Sequence, residues 1–331
     1  MKLKEPIRFT NNAQAEFFST LRKRLDAYFR ENKISPHANA QMVIKSVILL
    51  SAYIVPYIFI LFVPLPFWLT ATLWSVMGFA LAGVGMSVMH DANHGSYSSN
   101  KTVNDIMGHS LNILGGAVFN WKLQHNVLHH TYTNIVHMDE DIDDKLIMRF
   151  SPHTEVKWYH KFQWVYAFVF YGILTLYWAL LKDFVQFIQY KKSGVNKNSA
   201  KQNRIVLLKI IAHKLIYFSY FFIIPYFVLN IAVLPHLYGF LWMQFIAGII
   251  LTTVFQLAHT VDGTTYPLPN EDRTVENNWA IHQMNTTVNF SRKNKFISWY
   301  VGGLNFQVEH HLFPRICHVH YPAISEIVKT T

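Results

Sequence analysis

Seven histidines fall into three tight clusters: His90 and His94 in HDANH, His125, His129 and His130 in HNVLHH, and His310 and His311 in QVEHH, behind Gln307. Imidazole is a common ligand for zinc, copper, iron and nickel ions. A spacing of four residues puts His90 and His94 on one face of a helix, and likewise His125 and His129. His130 points about 100° round from its neighbour, where it can reach a second ion. Any one of these histidines alone reads as a surface or packed residue; seven in three clusters read as a ligand set. The one cysteine, Cys317, rules out an internal disulfide and a cysteine-rich metal site. A zinc hydrolase needs only about three protein ligands and one open position, so a set this large without thiolates suits two ions. His109, His137, His153, His160, His213, His236, His318 and His320 lack paired spacing and read as ordinary residues. The acidic run Asp139, Glu140, Asp141, Asp143 and Asp144 reads first as a solvated loop. Its alternative role is to accept the second ring N–H of a ligating histidine, and Asp91 is divided between the same two readings.

The elements that must position these clusters are membrane helices. The chain is 51% hydrophobic and only 15% charged, well below the charge of a soluble domain. Residues 44–63 and 67–89 are each long enough to span a bilayer and are separated only by Pro64, Leu65 and Pro66. A second pair, 206–233 and 237–258, is expected to turn around Leu234, Pro235 and His236. The run 163–181 is barely long enough, and its Trp164, Tyr166, Tyr171, Tyr177 and Trp178 suit an interface as well as a span. Cations crowd the N-terminal segment 1–43, the stretch after 181 and the C-terminal part, whereas neither hairpin turn carries a charge. By the positive-inside rule the termini and polar segments are cytoplasmic. The net charge of +10 is thus largely a topology signal, and nucleic acid is a poor partner. All three clusters then share the cytoplasmic side, provided 163–181 is interfacial or re-entrant; a crossing there would separate the second cluster from the third. Within 13–29, Phe17, Leu21, Leu25, Tyr28 and Phe29 recur at helical spacing, which fits a helix on the membrane surface or one packed on the cytoplasmic part. No signal peptide is expected. The fold class is an all-α integral membrane protein, a single domain over 1–331. It has four spans in two hairpins, interfacial helices and a cytoplasmic histidine-rich catalytic cap.

Redox chemistry on unactivated carbon at a membrane needs a redox-active metal, with iron and dioxygen the leading pair. The segments HDANHGSY, HNVLHHTYTN and QVEHHLFP resemble the three histidine boxes of the membrane fatty acid desaturases over roughly 40–320. The likeness is closest to the front-end, linoleoyl-CoA desaturase-like subgroup, in which a glutamine, here Gln307, replaces the first histidine of the third box. The resemblance implies two iron ions held by His90, His94, His125, His129, His130, His310 and His311, with Gln307 in or beside the ligand set. It adds His259, at the end of the fourth span, and His282, in the polar segment that follows, as further candidate ligands. It implies that dioxygen and two electrons introduce a cis double bond into an acyl chain carried by coenzyme A, acyl-carrier protein or a membrane lipid. The haem-binding HPGG motif of a fused cytochrome b5 domain is not found, so the electron donor is expected to be separate, a ferredoxin or a cytochrome b5. That also favours a bacterial inner membrane over the endoplasmic reticulum. The nearest alternative is hydroxylation of a fatty acyl or sphingolipid chain on the same scaffold. Membrane electron-transfer or transport proteins would give the histidine doublets no role.

Overall fold

The computed structural model describes residues 6–10, 15–143 and 147–331; Asp144 and residues 1–5 lie outside them. Helix α1 is Ala15–Glu31, α2 is Ala40–Phe62 and α3 is Phe67–His94. Then come α4, Trp158–Ser193, α5, Ala200–Val228, and α6, Val233–His259. Shorter helices follow: α7, Trp279–Thr286, α8, Gln307–Leu312, and α9, Tyr321–Thr330. Among the described residues, the one sheet is a parallel pairing of Arg8–Phe9 with Thr274–Val275.

The first hairpin closes where expected. Asn39 caps α2 by accepting from the Met42 N–H, and Pro66 stands before α3 in an extended conformation. Large apolar side chains of α2, among them Ile44, Val47, Phe59 and Phe62, remain exposed, as lipid-facing residues do. The second hairpin turns earlier than the sequence suggested. α5 ends at Val228 and α6 begins at Val233, so Leu234, Pro235 and His236 are helical rather than the turn. Proline is tolerated in a first helical turn because its missing N–H would have no partner there. The turn is made instead at 229–232, where Asn230 takes a positive φ of 53°. His236 is buried, its Nε2 2.8 Å from the Phe221 carbonyl oxygen.

The ambiguous run 163–181 is the middle of the 36-residue α4, one of five helices long and apolar enough to cross a membrane. α4 packs on α6 through glycines, since a Cβ on Gly248 would lie 2.4 Å from the Tyr171 carbonyl oxygen. Both ends of α4 meet polar connectors. The Gln163 side chain exchanges hydrogen bonds of 2.9 and 2.8 Å with the Arg149 backbone. Gln186, near the other end, donates to Gln124 and Glu140 at 2.8 and 2.9 Å. A buried ion pair, Lys214 to Asp183 at 2.7 Å, ties α5 to α4.

α1 spends its apolar stripe on protein. Leu21 packs with Ala280, Leu312 and Val328, and Leu25 with Phe306, Tyr321 and Ile324. Of the two readings of this helix, packing against the histidine-bearing part is the one observed.

Candidate metal centre

α3 delivers the first cluster. Its turn Val84–Val88 is π-helical, and the helix stops at Gly95, whose φ of 76° is left-handed. The second cluster lies on a π-helical stretch, Lys122–His129, rather than the α-helix its spacing suggested. The His125 and His129 rings stay stacked 5.2 Å apart, yet each also faces a different set of histidines. α8 supplies His310 and His311, and the last residue of α6 is His259.

These rings converge into two groups. His90, His94, His125 and His310 form one, and His129, His259 and His311 the other; within each, one ligand atom per residue lies within 4.8 Å of all the rest. The Nε2 atoms of His90 and His125 face each other at 3.1 Å. His130 stands between the groups, its ring centre 4.6 Å from that of His310 and 4.4 Å from that of His311. Among the described residues, the Nε2 atoms of His94, His129, His259, His310 and His311 and both nitrogens of His130 are buried without a hydrogen-bond partner. A buried polar atom left unpaired costs about 1–3 kcal/mol, and so many pointing at common centres is the arrangement metal ions satisfy.

The opposite edges of these rings are held. His129 Nδ1 is 3.0 Å from an Asp139 oxygen, His311 Nδ1 is 2.7 Å from Gln283 Oε1, and His259 Nδ1 is 3.3 Å from the Thr286 carbonyl oxygen. Each acceptor keeps the proton on Nδ1 and leaves the Nε2 lone pair for a metal. His310 Nδ1 meets the Tyr321 hydroxyl at 3.0 Å. Asp139 is fully buried, so this part of the acidic run is a histidine support and not a solvated loop. Burial pulls the His129 pKa down, but Asp139 and Asp141 together outweigh it and hold the ring above its usual value. Burial and neighbouring histidines hold His125, His130, His310 and His311 well below theirs, in the neutral form a metal requires.

Other expected residues are placed differently. His282 joins neither group; it is buried against the Phe9 ring at 5.0 Å. Asp91 turns from His90, whose Nδ1 is 4.0 Å away, towards His318 Nδ1 at 2.7 Å and Cys317 Sγ at 3.0 Å. His318 Nε2 in turn lies 2.8 Å from Lys45 Nζ, so His318 has a buried structural bond that its spacing did not signal. Gln307 is buried with Oε1 unpartnered among the described residues. Tyr321 and Gln283 were not anticipated, because no local spacing ties them to the histidines they touch.

A cavity of about 710 Å³ runs past the groups, lined by His90, His125, His129 and Gln307 together with apolar residues such as Met86, Leu114, Trp121 and Leu251. Its polar edge carries Glu140, Asp141, Asp143 and Lys182. This volume and mostly apolar lining suit a small-molecule site.

Known proteins resemble the chain over nearly its whole length. The chain is 35% identical over 312 residues to the sn-1 linoleoyl-lipid 6-desaturase of Arthrospira platensis, covering 94% of this chain and 84% of that one. It is 35% identical over 332 residues to the sn-1 linoleoyl-lipid 6-desaturase of Synechocystis sp., covering 98% and 89%. The acyl-lipid (8-3)-desaturase of Physcomitrium patens is 37% identical over 345 residues, covering 99% and 68%. Residues 66–331 match the fatty acid desaturase family, and the chain belongs to it.

Proposed function

We propose that this protein introduces a cis double bond, with front-end regioselectivity, into an acyl chain esterified to a membrane lipid, using two iron ions, dioxygen and two electrons. The observation that carries the reading is two groups of buried histidine nitrogens, bridged in space by His130, beside an apolar cavity. Names of the relatives add the substrate class, since three of them are lipid-linked desaturases. His90, His94, His125 and His310 would hold one ion, and His129, His259 and His311 the other, with His130 within reach of both. Bound iron would supply the activation of dioxygen needed to attack an unactivated C–H bond.

The chain's own residues do the rest. Asp139, Gln283 and Thr286 keep protons on the outer nitrogens of their histidines. The apolar wall excludes water and fixes which methylenes lie beside the histidines. Position must make that choice, because neighbouring methylenes differ little in reactivity. Four spans, with α4 lying at the interface instead of crossing, agree with the polar contacts at both its ends. Cytoplasmic termini and site follow from the positive-inside rule.

The test is the fatty-acid profile of a host expressing the chain, by gas chromatography with mass spectrometry, against a His310→Ala, His311→Ala variant at equal expression. A new double bond that vanishes in the variant is the expected result and gives its position. A hydroxy acid instead would replace desaturation by hydroxylation at the same centre.

A further inference from the structure

A second depression, of about 910 Å³, reaches the histidines through residues that share nothing with the lining of the acyl cavity. Its floor holds His94 and His130, and its wall includes Asn93, Asn126 and Trp279. His94 lines this depression while its Nε2 is buried among the first group of nitrogens. One imidazole therefore stands between the candidate metal centre and the basin. His130 is tied to the same wall, since Trp279 Nε1 donates to its carbonyl oxygen at 3.1 Å.

The rim has one sign of charge. Lys101, Lys122 and Arg315 line it against the single carboxylate of Asp105, which Lys101 already meets at 2.7 Å. Lys101 and Arg315 are exposed. The edge of the acyl cavity is the reverse, with three carboxylates beside Lys182. A polar basin rimmed by cations is a poor acyl site and a good seat for an acidic protein surface.

The reaction requires such a visitor. Removing two hydrogens from adjacent methylenes yields two electrons, whereas reducing dioxygen to two waters takes four. The other two electrons must come from a reductant, and the other two protons from solvent. We infer that the basin over His94 and His130 is the docking surface for a small acidic one-electron carrier protein, which is oxidised twice per turnover and delivers each electron through the His94 edge. This rests on the desaturase reading, and the experiment is arranged so that the two can fail separately.

The probe is an acidic [2Fe–2S] ferredoxin, and the protein is the full chain, iron-loaded, in detergent. The variants are Lys101→Glu, Lys122→Glu, Arg315→Glu together, and the exposed pair Lys101→Glu, Arg315→Glu alone, in case the triple variant folds poorly. Reduced ferredoxin as donor should show a KM raised about tenfold or more at low salt, and oxidised ferredoxin a Kd raised alike. For the unaltered protein both constants should rise steeply with salt. Iron content, and product formed in a single turnover after chemical reduction by dithionite, should not change. Unchanged KM and Kd in both variants would overturn the docking surface. Absence of product from every dithionite-reduced sample would overturn the desaturase reading instead, while ferredoxin binding would still judge the surface.

Discussion

The His129 imidazole is held between burial, which favours its neutral form, and Asp139, 3.0 Å from Nδ1, which anchors a proton on that nitrogen. The Asp139→Asn variant keeps an oxygen that can accept the bond but loses the charge and offers a competing donor. Metal affinity should fall about 10–100-fold, read as iron per protein by mass spectrometry after dialysis against a chelator; full retention would mean that Asp139 is a folding residue only. His259 and His282 separate more sharply. His259→Gln should lose iron, and His282→Gln should keep it, because the His282 ring lies against Phe9 outside both groups. His282 has its own pH signature: burial takes its pKa down to about 4, below the unfolded value. Between the two values the unfolded chain binds a proton that the folded chain does not, so stability falls as pH drops through that window. The loss is up to about 1.4 kcal/mol per pH unit. Iron-free His282→Gln protein should therefore lose less thermal stability between pH 7 and 5 than the iron-free parent; equal losses would remove the argument. The seven clustered histidines were legible as one set because chemistry and spacing coincide within a few residues. Asp139 was legible only as an alternative, since an acidic run more often faces water. Gln283 and Tyr321 were not legible at all, being brought to His311 and His310 by the packing of α7, α8 and α9.

Elements place these residues through departures from regular helix. The π-helical stretch Lys122–His129 keeps the His125 and His129 rings stacked 5.2 Å apart, yet each also joins its own set of histidines. No residue type marks such a stretch, so the sequence supports the cluster but not its division. α4 was ambiguous for a related reason. Its aromatic residues suit an interface, while its close contact with α6 depends on Gly172 and Gly248 meeting across 36 and 27 residues of helix. That contact also shapes the acyl cavity, whose wall includes Phe170, Tyr171 and Leu174. In Gly248→Ala the new Cβ would sit 2.4 Å from the Tyr171 carbonyl oxygen and 2.7 Å from that of Gly172. Both are backbone atoms, so α4 must move as a body. Product per protein should fall, by as much as about a hundredfold for a displacement near 1 Å, with iron content unchanged. Normal turnover with unchanged products would show that the wall tolerates the shift.

At the scale of the molecule, the candidate centre lies where two differently charged cavities approach it, one apolar and edged by carboxylates, the other polar and rimmed by cations. That division makes sense only if the chain is correctly threaded through the bilayer. Parity gives the constraint. His130 precedes α4, whereas His259 ends α6 and His311 follows it, and the His311 ring neighbours both of the others. If α4, α5 and α6 all crossed, the chain would emerge on the far side after three passages; with α4 lying at the interface, two passages bring it back. The only cysteine, Cys317, is buried with Sγ 3.0 Å from Asp91, so single introduced cysteines can be labelled against a quiet background. Pro64→Cys and Ala232→Cys, in the two hairpin turns, should react with an impermeant maleimide applied from outside the cell. Glu155→Cys and Lys192→Cys, near either end of α4, should both react only after the membrane is opened. Reaction of just one of that last pair from outside would make α4 a fifth span. Either the first or the third histidine cluster would then need a route back to the centre other than the hairpins described here.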